Sequence, residues 1–269
     1  MKIILNKKKL VKFIQREKSL GFVPTMGALH KGHISLIKKS ITQCNKTVVS
    51  IFINKAQFNK KSDFSKYPRL LKRDIAILKK FKVNYLFIPS NKEIYPSGIN
   101  NKIKINSFGK KLCGKFRPNH FKAVVDVIDR FINIIKPSKI FLGEKDMQQL
   151  KIIEDFIRKK HKRIKIVACK TIREKNGIAY SSRNLLLSKN EKKIASQIFK
   201  LLLSIKPHIL KKRTKIKDLK VKILKLGARR IDYLEIIDIN KIISPFKKRN
   251  KFRIFIAYYI GSVRLIDNI

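Results

Sequence analysis

Apolar residues follow two patterns in residues 1–170 of the chain. Short runs rich in β-branched residues, of which 48–53 is the clearest, are typical of strands buried on both faces. Between these runs, apolar residues recur every three or four positions, which predicts amphipathic helices. Strands that alternate with helices predict an α/β fold with a doubly wound parallel sheet. The predicted strands are 21–25, 48–53, 85–88, 139–142 and 164–168, and the predicted helices are 8–20, 30–43, 68–81, 121–135 and 146–160.

The character of the chain changes after Thr171, where a polar, turn-rich segment begins. Basic helices are predicted beyond it, followed by two strands. We therefore place a boundary that separates a first domain, residues 1–173, from a smaller C-terminal α+β domain, residues 174–269. In the first domain, the lysine-rich stretch 91–111 is predicted to be a loop or a mobile excursion. The predicted elements of the second domain are helices 191–205 and 215–226 and strands 231–237 and 252–259.

The strongly positive charge of the chain raises the question of a nucleic-acid partner. Sixty-six Lys and Arg residues against 17 Asp and Glu give a formal net charge of +49, which attracts nucleic acid non-specifically. An RNA- or DNA-binding protein is one interpretation, and the codon bias of an AT-rich genome is the other. The lysines are spread from end to end, whereas nucleic-acid binders usually gather them on one face. We therefore favour codon bias and expect no specific nucleic-acid partner.

The sequence also bears on the cellular compartment. No apolar run approaches the ~18 residues of a membrane-spanning helix, and the N-terminal residues lack the apolar core of a secretory signal. The three cysteines are scattered and lack the spacing of metal ligands, which disfavours a disulfide framework and a zinc site. We expect a cytoplasmic protein with no membrane partner.

The first motif with chemical meaning is His30-Lys31-Gly32-His33, which follows a predicted strand and opens a predicted helix. Histidines three positions apart lie on one face of a helix, so both imidazoles can reach one anion. The unpaired N–H groups at a helix N-terminus also suit phosphate. Gly32 leaves the space between the imidazoles open to a nucleotide. The motif predicts a nucleotidyltransferase site that stabilises charge on the α-phosphate of ATP.

A second cluster, residues 143–146, directly follows the predicted strand 139–142. Ligands of open α/β sheets bind beyond the carboxyl ends of the strands. Lys145 is therefore predicted at the same edge as the two histidines, although a solvated turn is the alternative. Gln148 and Gln149 come next, and a helix can turn only one of them toward the pocket.

Three further segments offer polar groups, and the first two also have a simpler structural explanation. Residues 181–184, Ser-Ser-Arg-Asn, can clamp phosphate or can cap a helix. Asn54 and Gln57 place carboxamides at the end of the buried strand, where they can bind a small substrate or shape a turn. Residues 117–121 can contact a carboxylate or pyrophosphate.

Together these segments resemble the pantothenate synthetases, or pantoate–β-alanine ligases, a family of HxGH nucleotidyltransferases. The similarity runs in order from about residue 20 to the C-terminus. It implies a Rossmann-like first domain and a two-step ligation. ATP and pantoate would form an enzyme-bound pantoyl adenylate and pyrophosphate, and β-alanine would then displace AMP to give pantothenate. The segments are PTMGALHKGH (24–33), VVSIFINKAQF (48–58), IYPSG (94–98), LCGKFRPNHF (112–121), FLGEKDMQQL (141–150), TIREKNGIAYSSRN (171–184) and YYIGSVRLIDN (258–268).

The resemblance also implies roles for individual residues. His33, His30, Lys145, Ser181 and Arg183 would be catalytic. Gln57 and Gln149 would bind pantoate, helped by Asn54. Magnesium would accompany ATP, with Asp74 as a candidate ligand, and the chain would form a homodimer through its first domain. The implied ATP-binding residues are Met26, Gly27, Ala28, Leu29, His30, Lys31, Gly32, His33, Gly143, Glu144, Lys145, Asp146, Ile172, Tyr180, Ser181, Ser182 and Arg183.

Four positions depart from the family pattern, and none removes a phosphate-handling side chain. Lys55 stands where proline is usual, Asn119 replaces glycine, Asn176 replaces aspartate and Tyr180 replaces methionine. Asn119 is expected in a left-handed backbone conformation, which asparagine tolerates well. Two alternatives stay open: a nucleotidyltransferase with another small substrate, and a basic nucleic-acid-binding protein that kept an old fold.

Overall fold

Two β-sheets organise the chain in the computed structural model, which describes residues 1–210, 215–242 and 252–269. The first sheet has six parallel strands in the order β1-β4-β3-β2-β5-β6. The second has three antiparallel strands in the order β7-β8-β9. The α/β prediction with a parallel sheet is thus confirmed. The strands are β1 (Lys2–Ile4), β2 (Leu20–Thr25), β3 (Lys46–Ile51), β4 (Tyr85–Phe87), β5 (Lys139–Gly143), β6 (Lys165–Cys169), β7 (Arg230–Asp238), β8 (Phe252–Ile260) and β9 (Val263–Asn268).

Helices cover both faces of the parallel sheet. Leu10 of α1 and several residues of α7 and α8 pack in the large core on one face, while Leu36 of α2 and Leu78 of α4 pack on the other. In the described part of the chain, no helix has the length and apolar content needed to cross a bilayer. The helices are α1 (Lys7–Ile14), α2 (Lys31–Gln43), α3 (Lys61–Ser65), α4 (Leu71–Lys80), α5 (Asn91–Ile94), α6 (Cys113–Phe116), α7 (His120–Ile135), α8 (Met147–Lys160), α9 (Lys189–Leu210) and α10 (Ile216–Lys225).

The strand order reverses between β2 and β5, and a crevice opens there. β2 pairs with β3 along its whole length, but it pairs with β5 only at Gly21 and Phe22. Pro24 has no N–H to donate, and it lies beyond the point where β5 has separated from β2. The two strands therefore diverge toward their carboxyl ends, which is where open α/β sheets bind ligands.

The second sheet is buried on both faces, which explains its long apolar strands. Along β8, Phe255 and Ala257 belong to the core of the parallel sheet, whereas the alternate residues Ile254 and Ile256 pack in a separate core with α9 and α10. Because side chains alternate along a strand, one strand serves two cores. The domain boundary near residue 173 stays a prediction, and the parallel sheet ends at Cys169.

Two predictions from the sequence pattern need correction, and two strands were missed. The stretch 91–111 is not a free excursion, because Ile94, Ile103 and Phe108 are buried in the main core. The first helix ends at Ile14 instead of residue 20, since the polar residues 15–18 that follow offer no apolar face. Strands β1 and β9 were not predicted. β1 has three residues, of which one is buried, and β9 depends on pairing with β8.

Candidate active site

The turn after β2 is shaped by a buried carboxylate. Gly27 and Ala28 have φ angles of +79° and +49°, and a left-handed alanine is disfavoured without support. Asp74 supplies that support by accepting hydrogen bonds from the Ala28 and Leu29 N–H groups, both at 2.8 Å. Asp74 is 1% exposed, and burial raises the pKa of its carboxyl while the two N–H donors oppose that shift. Both carboxylate oxygens therefore hold the turn, a role the sequence analysis did not assign.

No described group of three or more His, Cys, Asp or Glu residues could hold a metal ion. The two oxygens of the Asp74 carboxylate accept hydrogen bonds from the Ala28 and Leu29 N–H groups. The role of magnesium ligand that the resemblance implied for Asp74 thus gains no support from this geometry.

His30 and His33 form a stacked pair at the start of α2, with ring centroids 4.0 Å apart. His30 is the N-cap, and its Nδ1 accepts from the Gly32 N–H at 3.2 Å. His33 Nδ1 accepts from the His30 N–H at 3.4 Å. An Nδ1 that accepts leaves the proton of a neutral imidazole on Nε2. Each ring can therefore offer an Nε2–H donor to an anion.

Both imidazoles are neutral at pH 7. Burial, together with the charges of His33 and Lys145, lowers the pKa of His30 to about 2. Burial also lowers the pKa of His33 to about 4, although Asp146 opposes this shift. Gly32 is required beside them, because a Cβ at this position would lie 2.9 Å from the His30 ring. Gly32 was predicted to leave room for a nucleotide, and the close approach of the His30 ring is a second reason for glycine at this position.

Lys145 lies in the turn after β5, on the other side of the crevice, with its Nζ 3.2 Å from Asp146. The C-terminal strand β9 holds this turn. Asn268 Nδ2 donates to the carbonyl oxygens of Glu144 and Lys145 at 2.9 and 2.8 Å. Arg253 donates to Glu144 Oε2 at 2.7 Å and to Asn268 Oδ1 at 2.6 Å. The Glu144 carboxylate is thus engaged in an ion pair between the two sheets.

Sequence reasoning did not single out Arg253 or Asn268. Asn268 belongs to the last quoted segment, YYIGSVRLIDN, so the resemblance contained a signal that could have found it.

Asn54 and Gln57 follow β3 and have different surroundings. Asn54 is 1% exposed, donates to Ala123 O and Gln57 Oε1, and accepts from the Tyr95 hydroxyl. Its carboxamide is fully used inside the protein, so Asn54 positions Gln57. The Gln57 amide donates to Met26 Sδ at 2.9 Å and borders the cavity.

Both glutamines on α8 border the cavity, so the prediction that the helix turns only one of them toward it is wrong. They differ in their hydrogen bonds, because Gln148 is buried and bonds three backbone groups of residues 108–113. Among the described residues, none bonds the amide of Gln149, which borders the cavity. A single glutamine is thereby left free for a ligand.

The segment after residue 180 closes over the histidines. The Tyr180 ring stacks 6.0 Å from the His30 ring, and the Tyr180 N–H donates to Ile172 O. Ser181 caps the short helical turn that follows it, as the simpler explanation of this motif held. Ser182 is turned inward and donates to Ala28 O at 3.1 Å. Arg183 makes a bidentate pair with Asp63 at 3.1 and 2.8 Å, and sequence reasoning missed Asp63.

These elements enclose one cavity of about 280 Å³. Its walls do not include Gly27, Ala28, Leu29, Lys31, Gly32, Gly143, Glu144, Ile172 or Tyr180, so their implied ATP contacts stay predictions. The left-handed backbone expected for Asn119 is present, with φ of +60° at the N-cap of α7. The predicted residues that the structure brings together on the walls are Met26, His30, His33, Asn54, Gln57, Lys145, Asp146, Gln149, Ser181, Ser182 and Arg183.

Comparison with known proteins agrees with this geometry. Residues 2–269 match the family model described as pantoate-beta-alanine ligase. The chain is 41% identical to the pantothenate synthetase of Sulfurihydrogenibium sp. over 261 residues, which cover 94% of this chain and 92% of that one. It is 42% identical to the pantothenate synthetase of Clostridium botulinum over 254 residues, 93% and 90% of the two chains.

The chain is also similar to solved structures, and the two described here each cover 100% of it. The pantoate-beta-alanine ligase of Francisella tularensis, complexed with beta-gamma ATP and beta-alanine, superposes with a TM-score of 0.87 at 38% identity over 97% of its length. The pantothenate synthetase of Thermus thermophilus superposes with a TM-score of 0.90 at 31% identity over 99% of its length. The chain therefore belongs to the pantoate–β-alanine ligase family.

Proposed function

We propose that the chain condenses (R)-pantoate with β-alanine at the expense of ATP and gives pantothenate, AMP and pyrophosphate. One observation carries the proposal: side chains that follow β2 and side chains that follow β5 border the same cavity. His30 and His33 follow β2, Lys145 follows β5, and all three border one cavity with Gln57 and Gln149. Cations and N–H donors face two carboxamides there, which suits a triphosphate beside a hydroxy acid.

In the first step, a carboxylate oxygen of pantoate attacks the α-phosphorus of ATP. The new O–P bond forms as the bond to the pyrophosphate oxygen breaks, and negative charge builds on the phosphoryl oxygens. The carboxylate is already ionised at pH 7, so no general base is needed. The Nε2–H groups of the two histidines and the Lys145 ammonium stabilise the developing charge. Asp63 engages Nε and Nη2 of Arg183, and the Nη1 group of the same guanidinium donates to the leaving phosphates.

In the second step, the amine of β-alanine attacks the acyl carbon of the pantoyl adenylate. The C–N bond forms, the C–O bond to AMP breaks, and the amine nitrogen loses a proton. AMP leaves readily because its phosphate carries the electron pair. We propose that Gln57 and Gln149 hold the pantoyl group in place between the two steps.

We further propose that magnesium enters as part of the MgATP substrate, coordinated by the phosphates. The reaction is expected in the cytoplasm, and three buried free thiols, Cys44, Cys113 and Cys169, fit a reducing compartment. A homodimer through the first domain is also proposed from the family. Light scattering in physiological salt tests it, and a mass of one chain contradicts it.

The experiment that tests the function follows pyrophosphate release from MgATP. With pantoate present and β-alanine withheld, we expect a single turnover, and addition of β-alanine makes release continuous with formation of AMP. Release that ignores pantoate would assign the site to another carboxylic acid. No release from folded protein would refute the proposal. Lys145→Gln is expected to lose most activity, whereas Lys151→Gln, which removes an ion pair with Glu154 on α8, is the matched control.

A further inference from the structure

A second cavity, of about 740 Å³, lies against the first, and we call it the arginine groove. Asp63, Arg117, Arg183 and Arg264 border both cavities. Arg229 and Arg230, at the start of β7, line only the groove. The groove therefore begins at the guanidinium that we assign to the leaving phosphates and continues away from the histidines.

The residue types along the groove differ from the rest of this lysine-rich chain. The sequence contains 51 lysines and 15 arginines. Among the described residues, five arginines line the groove, namely Arg117, Arg183, Arg229, Arg230 and Arg264, against two lysines, Lys60 and Lys66. A genomic bias toward lysine does not explain why arginine outnumbers lysine in the groove. Arginine binds phosphate oxygens in a bidentate manner, whereas lysine acts as a point charge, so the choice of residue points to a phosphate ligand.

The described part of the chain does not neutralise this cluster of cations. Asp63 pairs with Arg183, and Asp232 pairs with both Arg230 and Arg264. Among the described residues, no carboxylate lies within ion-pair distance of Arg117, which donates to Gln57 O at 3.1 Å. Burial and the charges of Arg183 and Arg264 lower the pKa of Arg117 to about 10. Seven cationic side chains thus face two carboxylates, and a polyanion would relieve their mutual repulsion.

We propose that the arginine groove binds inorganic pyrophosphate as it leaves the catalytic cavity. The inference rests on the proposed function, because pyrophosphate is a product of the adenylation step. Arg183 borders both cavities, so the departing diphosphate can stay paired with it while it moves toward Arg229 and Arg230. β-Alanine fits the groove poorly, since its ammonium group is repelled by the cations. A separate exit also lets pyrophosphate leave while the reactive adenylate stays enclosed.

The test uses an Arg229→Ser/Arg230→Ser double variant of the full chain. Neither residue borders the catalytic cavity, and Asp232 keeps its pair with Arg264 when Arg230 is removed. The matched control is Lys162→Ser/Arg163→Ser, an adjacent exposed pair that borders neither cavity. If the first variant fails to fold, Lys60→Ser/Lys66→Ser removes two other exposed cations that line the groove.

Two measurements are made on each protein: calorimetric titration with pyrophosphate, and product inhibition of AMP formation by pyrophosphate. In the groove variant, we expect the dissociation constant and the inhibition constant of pyrophosphate to rise about fivefold or more. The KM values of ATP and β-alanine should stay within about twofold of wild type. Equal pyrophosphate constants in wild type and groove variant would overturn the proposal. An equal weakening of pyrophosphate binding in the control variant would also overturn it, because the effect would then come from bulk charge. A raised KM for β-alanine alone would overturn it as well, because the groove would then be an entrance for the amine. The titration needs no turnover, so a failure of the ligase function is seen separately as absence of pantothenate.

Discussion

At the scale of single residues, the site works through neutral imidazoles and fixed backbone groups. His30 and His33 are stacked 4.0 Å apart, a spacing at which two imidazolium ions would repel each other strongly. Burial keeps both rings uncharged, and their Nδ1 atoms are occupied by N–H donors of the helix start. The rings are therefore oriented before any ligand binds, which is the condition for electrostatic stabilisation of a transition state.

The pKa values of the two histidines give the first prediction. In the free protein, both imidazoles are expected to titrate below pH 5, at about 4 for His33 and about 2 for His30. NMR titration of the imidazole C–H resonances measures this, with His30→Gln and His33→Gln variants for assignment. A non-hydrolysable ATP analogue should raise both values, because the triphosphate favours the charged form. Titration of either free ring between pH 6 and 7 would contradict the neutral pair.

The same shifts set a direction for stability. The folded pKa values lie below the ordinary value of about 6.5, so the unfolded chain binds more protons once the pH falls below that value. The contribution of these histidines to the free energy of unfolding is constant above pH 6.5. It decreases as the pH falls toward the folded pKa values.

Asp74→Asn gives the second prediction. The amide places an NH₂ group against one of the two buried N–H donors, so one donor loses its acceptor and a second is buried unpaired. We expect a loss of about 2–3 kcal/mol in the free energy of unfolding, measured by denaturant titration. The magnesium concentration for half-maximal pyrophosphate release should not change.

Asp218→Asn, an exposed carboxylate at the start of α10, is the control. Unchanged stability with an increased requirement for magnesium would restore the metal role that the resemblance implied for Asp74.

At the scale of elements, the site is assembled from strands of both sheets. β2 and β5 supply the two turns of the crevice, and β9 holds the second turn from behind through Asn268. Arg253 on β8 links Asn268 and Glu144. The position of the Lys145 backbone therefore depends on the C-terminal sheet, although Lys145 directly follows β5 of the parallel sheet.

Loosening this link gives the third prediction. Asn268→Ala removes both donors to the Lys145 turn, and Glu144→Gln removes the carboxylate that pairs with Arg253. Since small displacements of catalytic groups are costly, we expect kcat of the adenylation step to fall about tenfold or more in Asn268→Ala, and less in Glu144→Gln. ATP affinity, measured by calorimetry, should change little.

Glu154→Gln, which breaks a pair with Lys151 on α8, should leave kcat unchanged. If Asn268→Ala lowers the melting temperature but leaves kcat unchanged, Asn268 contributes to stability and does not position Lys145 for catalysis.

At the scale of the whole molecule, the net charge of +49 opposes compaction through self-repulsion. Cores on both sides of the C-terminal sheet offset this, because β8 contributes to each of them. The lysines lie mostly on the exposed surface, where ions screen them within about 10 Å at 0.1 M salt.

Screening gives the fourth prediction. Single-stranded RNA should bind weakly, without sequence preference, and with a steep fall of log K against log salt. Fluorescence anisotropy with two unrelated RNA sequences, across a range of potassium chloride concentrations, measures both properties. Nanomolar affinity at physiological salt would contradict the interpretation of the charge as codon bias. It would favour the nucleic-acid alternative.

Much of this protein could be predicted from its sequence, because several signals are local. Apolar runs and helical spacing predicted five strands of the parallel sheet, since each element buries its own pattern. The residues at the carboxyl ends of β2 and β5 were predicted to share one edge, since parallel strands end together. The positive φ of Asn119 was predicted from the resemblance, because Asn119 replaces a glycine of the family pattern and asparagine tolerates this conformation.

Only the tertiary structure decided which polar groups are free and which are used up inside the protein. Asn54 was expected to bind substrate and Asp74 to bind metal. The polar atoms of both side chains instead form hydrogen bonds with residues distant in the chain. Periodicity did not point to Arg253 or Asn268, because the Glu144 and Lys145 groups that they hold lie more than 100 residues away along the chain. Such pairings depend on how sheets and turns pack, and periodicity along a chain contains no information about that packing.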